Sequence, residues 1–368
     1  MSQPDSTLQE LEVSHSRIRF PTFFPDATFG FVRGLDATDL MSCGVEGLVM
    51  NVFHLMQHPG SSVIKAVGGL HRMAHWDRPI VTDSGGFQAF SLLRSHPNSG
   101  SITKKGLLFR PEGSPGSLLL TPEKSIQLQL SYGADIAICL DYCTHPDDSA
   151  SVQESSVSIT VEWAKRCRRE FDRQVKARSA QTRPLLFAVV QGGRNRDLRR
   201  ACTESLLDIG FDGFGYGGYP FDSQGVLIVD TLKYLRELVP GKFPLFALGV
   251  GSPESLVQGV QAGYSLFDCA LPTRDARSGR LYRFETDEQL QPADHWYSKV
   301  YIADKRHMKS KEPVSRRCDC LTCREYSCAY LQHLFKRNDP LFHRLATIHN
   351  LRFMTQLIER LRRQNGTP

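Results

Sequence analysis

Short apolar runs alternate with longer amphipathic segments along most of the chain. The apolar runs are continuous, which is typical of strands buried on both faces of a parallel sheet. We predict strands at residues 47–53, 79–83, 134–141, 184–191, 213–218, 244–251 and 265–271. Apolar residues at helical spacing predict helices at 122–133, 156–174, 195–210 and 252–264. This alternation predicts a parallel sheet joined by right-handed crossovers.

Acidic, amide and glycine residues end several of these predicted strands. They are Asp83, Asp141, Gln191, Gly217, Gly218, Gly249, Gly251 and Asp268. An open doubly wound sheet would concentrate functional groups at one switch point, whereas a barrel collects them from the carboxyl ends of many strands. No Gly-x-Gly-x-x-Gly or Walker-type loop follows the early strands. We therefore predict an α/β fold built on a (β/α)8 barrel, the TIM barrel.

Two segments depart from the alternation. Residues 92–122 are rich in Ser, Gly, Pro and Lys, which predicts an inserted hairpin or lid over the barrel mouth. From about residue 285 the chain becomes basic, then cysteine-bearing and then helical. We predict a barrel catalytic domain over residues 1–285, with the insertion near 92–122. Residues 286–368 are predicted to form a metal-binding subdomain whose C-terminal helices pack on the barrel.

The metal prediction comes from four cysteines crowded into eleven of the 368 residues. Cys318, Cys320 and Cys323 have a spacing that lets three thiolates wrap one tetrahedral zinc ion on a tight turn. The candidates for the fourth ligand are His333, His343 and His349, or Cys328 if the site holds an iron–sulfur cluster. Three thiolates and a histidine fill the coordination sphere of zinc. The spacing therefore predicts one structural zinc ion and not a catalytic one.

Composition and charge narrow the class of protein. The apolar fraction is 40% and the charged fraction 23%, as in ordinary globular proteins, and no apolar run approaches the ~20 residues that span a bilayer. The polar N-terminus lacks a secretory signal, so we expect a reducing cytoplasm.

The net charge is +6. Basic runs predict either solvated helix faces or a polyanionic partner: Lys165, Arg166, Arg168, Arg169; Lys305, Arg306, Lys309; Arg360, Arg362, Arg363.

Two carboxylates stand out at the predicted strand ends. Asp83 is followed by two glycines two residues later, and Asp268 lies inside an apolar run. Asp83 could be an acidic cap of a turn, and Asp268 could form a salt bridge with Arg274 or Arg277. A buried carboxylate is costly unless it is paired or functional. Two carboxylates at a barrel mouth also suit chemistry at an anomeric carbon, where one attacks the sugar and the other handles a proton.

Many motifs, in the same order, resemble those of the tRNA-guanine transglycosylase family. The matching segments are residues 51–60, 82–91, 116–136, 190–193, 211–218, 248–256, 267–282, 318–334 and 347–350. The resemblance implies a (β/α)8 barrel with a zinc subdomain. It implies exchange of guanine at the wobble position of tRNA, in a G-U-N anticodon, for a 7-deazaguanine base. It further implies a homodimer.

The resemblance also assigns roles to individual residues. It makes Asp268 the nucleophile that forms a covalent ribosyl intermediate and Asp83 the general acid and base. It makes His349 the fourth zinc ligand, after Cys318, Cys320 and Cys323. The residues that it implies for substrate binding are Asp141, Gln191, Gly218, Ser84 and Phe87 for the base, and Arg274 and Arg277 for tRNA.

The chain departs from the family's pattern around the base. Family members usually continue the Gly-Gly motif to a glutamate, whereas here residues 217–223 read Gly-Gly-Tyr-Pro-Phe-Asp-Ser, so that Ser223 stands at the glutamate position. Tyr142 likewise replaces a glutamate after Asp141. We hypothesise that queuine is favoured over the aminomethyl precursor. The alternative is a non-catalytic, tRNA-binding partner subunit. Such subunits depart from the catalytic motifs, whereas Asp83 and Asp268 both stand here.

Overall fold

A computed structural model describes residues 8–96, 99–110, 116–177, 183–286, 290 and 295–366. In chain order its elements are β1 (Glu10–Val13), β2 (Ser16–Arg19), β3 (Thr22–Pro25), α1 (Ala37–Ser42), β4 (Leu48–Asn51), α2 (Val52–Leu55), a π-helical turn (Met56–Gly60), α3 (Ser61–Ala66), α4 (Leu70–Ala74), β5 (Ile80–Asp83), α5 (Gly86–Ser95), β6 (Gly100–Thr103), β7 (Gly106–Phe109), β8 (Leu118–Leu120), α6 (Pro122–Tyr132), β9 (Ile136–Ile138), α7 (Ala150–Lys176), β10 (Leu185–Val190), α8 (Arg196–Ile209), β11 (Gly213–Tyr216), α9 (Val229–Leu238), β12 (Leu245–Ala247), α10 (Pro253–Gln261), β13 (Leu266–Cys269), α11 (Leu271–Arg277), β14 (Arg280–Phe284), β15 (Tyr297–Tyr301), a 3-10 turn (Lys305–His307), α12 (Leu321–Glu325), α13 (Cys328–Lys336) and α14 (Pro340–Gln364).

Eight parallel strands form the predicted barrel. Their order is β3, β4, β5, β9, β10, β11, β12 and β13, and a parallel bridge between Asp26 and Val49 closes the ring between β3 and β4. Each of the seven predicted runs contains one of these strands. The eighth strand, Thr22–Pro25, was not predicted because it is only four residues long and is framed by Pro21 and Pro25.

The barrel interior is filled by alternate residues of its strands. Phe24, Val49, Val81, Phe187 and Phe246 belong to one buried apolar cluster. The hairpin of β1 and β2 contributes to the same cluster through two buried residues, Val13 and Ile18. The hairpin therefore covers the amino-terminal end of the barrel, and the carboxyl-terminal end is the one left for a site.

The predicted insertion forms a three-stranded antiparallel sheet of β6, β7 and β8, although residues 97–98 and 111–115 lie outside the described part. Helix α7 holds the turn between β6 and β7. Trp163 Nε1 donates to the carbonyl of Lys104 at 3.0 Å, and Arg166 donates to the same carbonyl at 2.9 Å. Arg166 also forms an ion pair with Glu123 at 2.7 Å. This member of a basic run thus has a structural partner.

The long helix α14 fastens the C-terminal region to the barrel. Arg344 forms an ion pair with Asp39 at 2.7 Å, and the buried Arg362 forms one with Glu46 at 2.6 Å. The division of the chain at residue 285 stays a prediction, and β14 and β15, on either side of it, pair with each other. Among the helices that the structure describes, none is both long enough and apolar enough to cross a membrane.

Candidate active site and metal centre

Asp83 ends β5 at the open end of the barrel, directly beside the end of β4. Asn51 is its register partner and donates from Nδ2 to Asp83 Oδ2 at 2.7 Å. Burial raises the pKa of Asp83 to about 6, although hydrogen bonds from the Gly85 and Ser84 amides and from Gln88 and Asn51 oppose the rise. A carboxyl group with this pKa can both give and take a proton near neutral pH.

Asp268 lies on β13 at the same end of the barrel. The backbone N–H of Gly249 donates to its Oδ1 at 3.0 Å. Burial raises the pKa of Asp268 to about 7, and the negative charges of Asp83 and Asp26 add to the rise. Within the described residues Asp268 has no arginine partner, so the salt bridge considered from the sequence is not formed.

Asp141 follows β9 and meets Gln191, which follows β10. Gln191 Nε2 donates to Asp141 Oδ2 at 2.6 Å, and both residues are buried. Burial raises the pKa of Asp141 to about 7, and the charge of Asp83 raises it further. Gln191 Oε1 is buried and has no hydrogen-bond partner among the described residues. Gly218 lies beside it with φ +84°, and a Cβ there would come within 3.2 Å of the carbonyl of Thr144.

The other two residues predicted to bind the base belong to the start of α5. Ser84 is fully buried, and its hydroxyl accepts from the Gly86 N–H at 3.3 Å. The Phe87 side chain is 44% exposed. A Cβ at Gly86 would lie 2.6 Å from Asp141 Oδ1, so the first turn of α5 packs directly against that carboxylate. The structure therefore brings these residues to the same end of the barrel as Asp83.

Arg274 and Arg277 lie on α11, the short helix that follows Asp268. Burial lowers the pKa of Arg277, and the neighbouring charges of Arg33 and Arg274 lower it further. A cavity of about 280 Å³ lies between Arg277, Arg33, Thr28, Asp26 and Thr273. The sequence does not single out Arg33, because it stands in a loop remote from Arg277 in sequence and outside any basic run.

The segment that departs from the family's pattern forms its own turn. The Tyr219 ring lies 5.7 Å from the His145 ring with an interplanar angle of 19°, and Tyr219 N donates to the Thr144 carbonyl. Asp222 Oδ1 accepts from the backbone N–H groups of residues 224 and 226, each at 2.9 Å. Ser223 is exposed. An aromatic pair thus stands beside Gly218, and the side chain at the position of the lost glutamate faces solvent.

Cys318, Cys320, Cys323 and His349 form the Cys3His group expected from the sequence. Their ligand atoms all lie within 4.8 Å of one another. His349 Nε2 lies 2.6 Å from the carbonyl of Tyr282, to which it donates a proton, while Nδ1 faces Cys323 Sγ at 3.2 Å. Because Nε2 carries the proton in its hydrogen bond to Tyr282, the lone pair of Nδ1 is free to bind a metal ion. Metal-binding histidines adopt this arrangement. The donor set and its geometry therefore fit a tetrahedral zinc ion.

The other ligand candidates lie outside this group. Cys328 packs in a separate apolar cluster, His333 is exposed, and His343 is partly buried. Asn350, which follows His349, ties the metal group to its surroundings. Its Oδ1 accepts from Tyr282 N at 3.1 Å, and its Nδ2 donates to the carbonyls of Pro272 and Arg280, each at 3.0 Å.

A second cluster of possible metal ligands lies at the opposite end of the barrel. Asp135 is buried and accepts from His15 Nδ1 at 2.8 Å, and His71 Nε2 lies 3.2 Å from its other oxygen. The two imidazole rings are stacked 3.6 Å apart with an interplanar angle of 24°. A metal ion lies close to the plane of each imidazole that binds it, and two rings stacked in this way cannot both meet that condition. We therefore interpret the cluster as a hydrogen-bonded one.

Comparison with known proteins identifies the family. The family model described as Queuine tRNA-ribosyltransferase matches residues 6–364. A protein of Psychrobacter cryohalolentis named Queuine tRNA-ribosyltransferase is 37% identical over 96% of this chain and 88% of its own. Proteins of the same name from Thermoanaerobacter pseudethanolicus and Shewanella baltica are each 38% identical, over 98% and 94% of this chain and 90% and 86% of their own. The resemblance found in the sequence is confirmed, and the chain belongs to the queuine tRNA-ribosyltransferase family.

Proposed function

We propose that this protein is a tRNA-guanine transglycosylase, which exchanges guanine at the wobble position of tRNA for a 7-deazaguanine base. The observation that carries the proposal is the meeting of Asp83, Asp141 and Asp268 at the open end of the barrel, each with a pKa raised to about 6 or 7. Raised pKa values of this kind cluster at functional sites. Membership in a family named for transfer to tRNA supports the same conclusion.

In the first half of the reaction Asp268 is the nucleophile. Its ionised carboxylate attacks C1′ of the target ribose, the bond between C1′ and guanine N9 breaks, and an Asp268–ribosyl ester forms. The electron pair of the broken bond leaves with guanine, which takes a proton from Asp83. The hydrogen bond from Gly249 N fixes one oxygen of Asp268 and leaves the other for attack.

In the second half the incoming base attacks C1′ and the ester bond to Asp268 breaks. The proton that the base loses returns to Asp83, so both carboxyl groups end as they began. One glycosidic bond is exchanged for another, the RNA backbone stays intact and no cofactor is consumed. The hydrogen bond from Asn51 holds Asp83 in place for both proton transfers.

Asp141 and Gln191 are the groups we assign to the base. The edge of a guanine-like base carries two N–H donors, which a buried carboxylate can accept, and a carbonyl acceptor, which an amide or backbone N–H can satisfy. The unpartnered Gln191 Oε1 is a further acceptor for an N–H of the base, and the Gly218 backbone N–H can donate to the base carbonyl. Discrimination by such buried polar groups is strong because a wrong base leaves them unpaired.

We propose queuine as the preferred incoming base, ahead of the aminomethyl precursor. Support comes from the segment beside Gly218, where Tyr219 and His145 stack and Ser223 replaces a glutamate that could meet a cationic aminomethyl group. Release of labelled guanine from prelabelled tRNA, measured with each purified base in turn, tests this preference. A strong preference for the aminomethyl base contradicts it.

Arg274 and Arg277, together with Arg33, are the groups we assign to phosphates of the anticodon loop. Binding to tRNA should then weaken as salt rises. Cys318, Cys320, Cys323 and His349 would hold one zinc ion, which ties the C-terminal helices together and lies outside the chemistry. The family resemblance further implies a homodimer, and the polar N-terminus and the free cysteines favour the reducing cytoplasm.

Incorporation of labelled guanine into tRNA with a G-U-N anticodon tests the central proposal. We expect exchange by the unchanged chain and none by Asp268→Ala. Trapping of a tRNA–protein adduct that Asp268→Ala cannot form would separate a covalent from a non-covalent route. Exchange that survives Asp268→Ala contradicts the mechanism, and a chain that binds tRNA without any exchange would instead be the partner subunit.

A further inference from the structure

Arg199 carries a positive charge into the protein interior. It lies in the first turn of α8 and is 1% exposed. Within the described residues no carboxylate forms an ion pair with it. A buried cation without a counter-ion is costly, and the amino-terminal end of a helix disfavours positive charge further. The contacts that Arg199 makes must therefore offset both costs.

Three backbone carbonyls and one aromatic ring supply these contacts. Nε donates to the Gly193 carbonyl at 2.9 Å, Nη1 to that of Val190 at 2.5 Å and Nη2 to that of Gly217 at 2.9 Å. The Tyr216 ring centroid lies 4.2 Å from Cζ. Charge-assisted hydrogen bonds are stronger than neutral ones, and a desolvated cation–π contact is stronger than an exposed one. The guanidinium is thus held from three sides by two loops.

The carbonyls flank the groups that we assign to the base. Val190 directly precedes Gln191, Gly193 follows it two residues later, and Gly217 directly precedes Gly218. The N–H of Gly217 also donates to the Val190 carbonyl at 2.9 Å, so one acceptor joins the loops after β10 and β11. A Cβ at Gly217 would lie 2.6 Å from Gln191 Nε2. The loop after β11 therefore packs closely against the side-chain amide of Gln191.

We infer that Arg199 is a positioning residue for base recognition. By binding both loops it holds the Gln191 amide and the Gly218 backbone at fixed places around Asp141. A free Gln191 could turn its carboxamide and lose the bond to Asp141, which leaves a buried carboxylate without a partner. This inference rests on the proposed function, because that function supplies the base that these groups read.

The test uses Arg199→Met and Arg199→Lys in the full chain, with labelled guanine as the probe at saturating tRNA. Methionine keeps an apolar stem and removes all three hydrogen bonds, whereas lysine keeps the charge without the planar fork. We expect Arg199→Met to raise the KM for guanine at least tenfold while the Kd for tRNA, measured by filter binding, changes less than twofold. Arg199→Lys should lie between Arg199→Met and the unchanged chain.

Leu206→Ala is the matched control, because Leu206 is a fully buried residue of the same helix that takes no part in the loops. We expect it to lower Tm and leave the KM for guanine unchanged. An equal rise in KM in Leu206→Ala, or parallel losses of tRNA and guanine binding in Arg199→Met, would overturn the inference. If Arg199→Met does not fold, a KM for Arg199→Lys equal to that of the unchanged chain overturns it. Absence of exchange by the unchanged chain overturns the proposed function and this inference together.

Discussion

The pKa values of carboxyl groups are shifted in opposite directions at the two ends of the barrel. At the carboxyl-terminal end burial raises the pKa values of Asp141 and Asp268, each to about 7. At the amino-terminal end Asp135 is also buried, yet its pKa is lowered, because hydrogen bonds from His71, Ile80 N and His15 outweigh the effect of burial. The two ends therefore differ in the hydrogen-bond donors that reach each carboxylate.

This difference separates a group kept for chemistry from a group kept for stability. Each oxygen of Asp135 faces one backbone N–H and one imidazole, so the charge is fully solvated by the protein. Among the described residues, Asp268 receives one hydrogen bond, from Gly249. A carboxylate left short of donors is a better nucleophile or base, and the fold bears the cost of keeping it so.

The largest effect we expect is on activity, at the open end. Asp83→Asn should lower guanine exchange by about 10²–10⁴-fold, because asparagine cannot carry the proton between the two bases. Its Tm should fall by less than that of an Asp135 variant, since asparagine still accepts from Asn51 and carries no buried charge, although it offers fewer acceptors to the Ser84 and Gly85 amides. Labelled guanine incorporation and thermal unfolding measure the two effects. A Tm loss as large as that of an Asp135 variant would remove the distinction between the two ends.

At the closed end the corresponding change should act on stability alone. Asp135→Ala leaves the buried Ile80 N–H without an acceptor and should lower the free energy of unfolding by about 3 kcal/mol. Guanine exchange per folded molecule should stay within about twofold, because Asp135 lies at the far end of the strands. Urea denaturation and exchange at a temperature where both chains are folded provide the measurements. Loss of exchange in the folded variant would contradict this assignment.

The pH dependence of stability should show how much free energy it costs to bury the Asp141 carboxylate. Its pKa is raised to about 7, so the folded chain holds a proton that the unfolded chain loses, and stability falls as pH rises from about 4 to about 7. Asp141→Asn removes this term and still accepts from Gln191. We expect Asn to stabilise the chain by about 3 kcal/mol more at pH 8 than at pH 5. Equal Tm gains at both pH values would contradict this account.

The smallest effect concerns the imidazoles that solvate Asp135. The pKa of His71 is raised, since hydrogen bonds to Asp135 and to the Trp76 carbonyl outweigh the opposing effect of burial. Its contribution is complete below the unfolded pKa near 6.5 and is lost as pH rises through the raised value. His71→Gln should therefore lower the unfolding free energy by about 1 kcal/mol at pH 6 and by less at pH 9. His15→Ala, at a side chain 41% exposed, is the milder comparison.

The sequence predicts the carboxylates at the carboxyl-terminal end of the barrel, but it does not single out Asp135 at the other end. Continuous apolar runs, one ending in Asp83 and one containing Asp268, predict both the barrel and these carboxylates, because strand periodicity and burial are local properties of the sequence. Asp135 sits inside the predicted strand 134–141 with nothing to mark it, and its partners come from a hairpin and from a helix remote in sequence. Tertiary neighbours, and not residue type, decide which buried acid is solvated.

The same reasoning explains the residues found only in the structure. Arg199 belongs to a predicted helix, and its burial depends on three carbonyls from two loops that periodicity does not place. Arg362 stood in a basic run that a polyanion could explain, yet it is buried against Glu46. Spacing identified Cys318, Cys320 and Cys323, and the fourth position in the group, His349, needed either the family resemblance or the fold.

The contacts of Arg362 join α14 to the first strands, so they can form only after residue 362 has been translated. Its guanidinium donates to the carbonyl of Arg19, 343 residues earlier, and binds Glu46 across 316 residues. At ~5–20 residues per second, roughly 20–70 s of translation separate the synthesis of these partners. Until α14 emerges, Glu46 can meet its N-terminal partners, which in the folded chain are Arg19 at 3.6 Å and the Thr22 hydroxyl at 3.2 Å, but not the guanidinium of Arg362. A ribosome that stalls before residue 362 would leave a barrel without these contacts of α14, and we expect that form to be the one that chaperones and proteases meet.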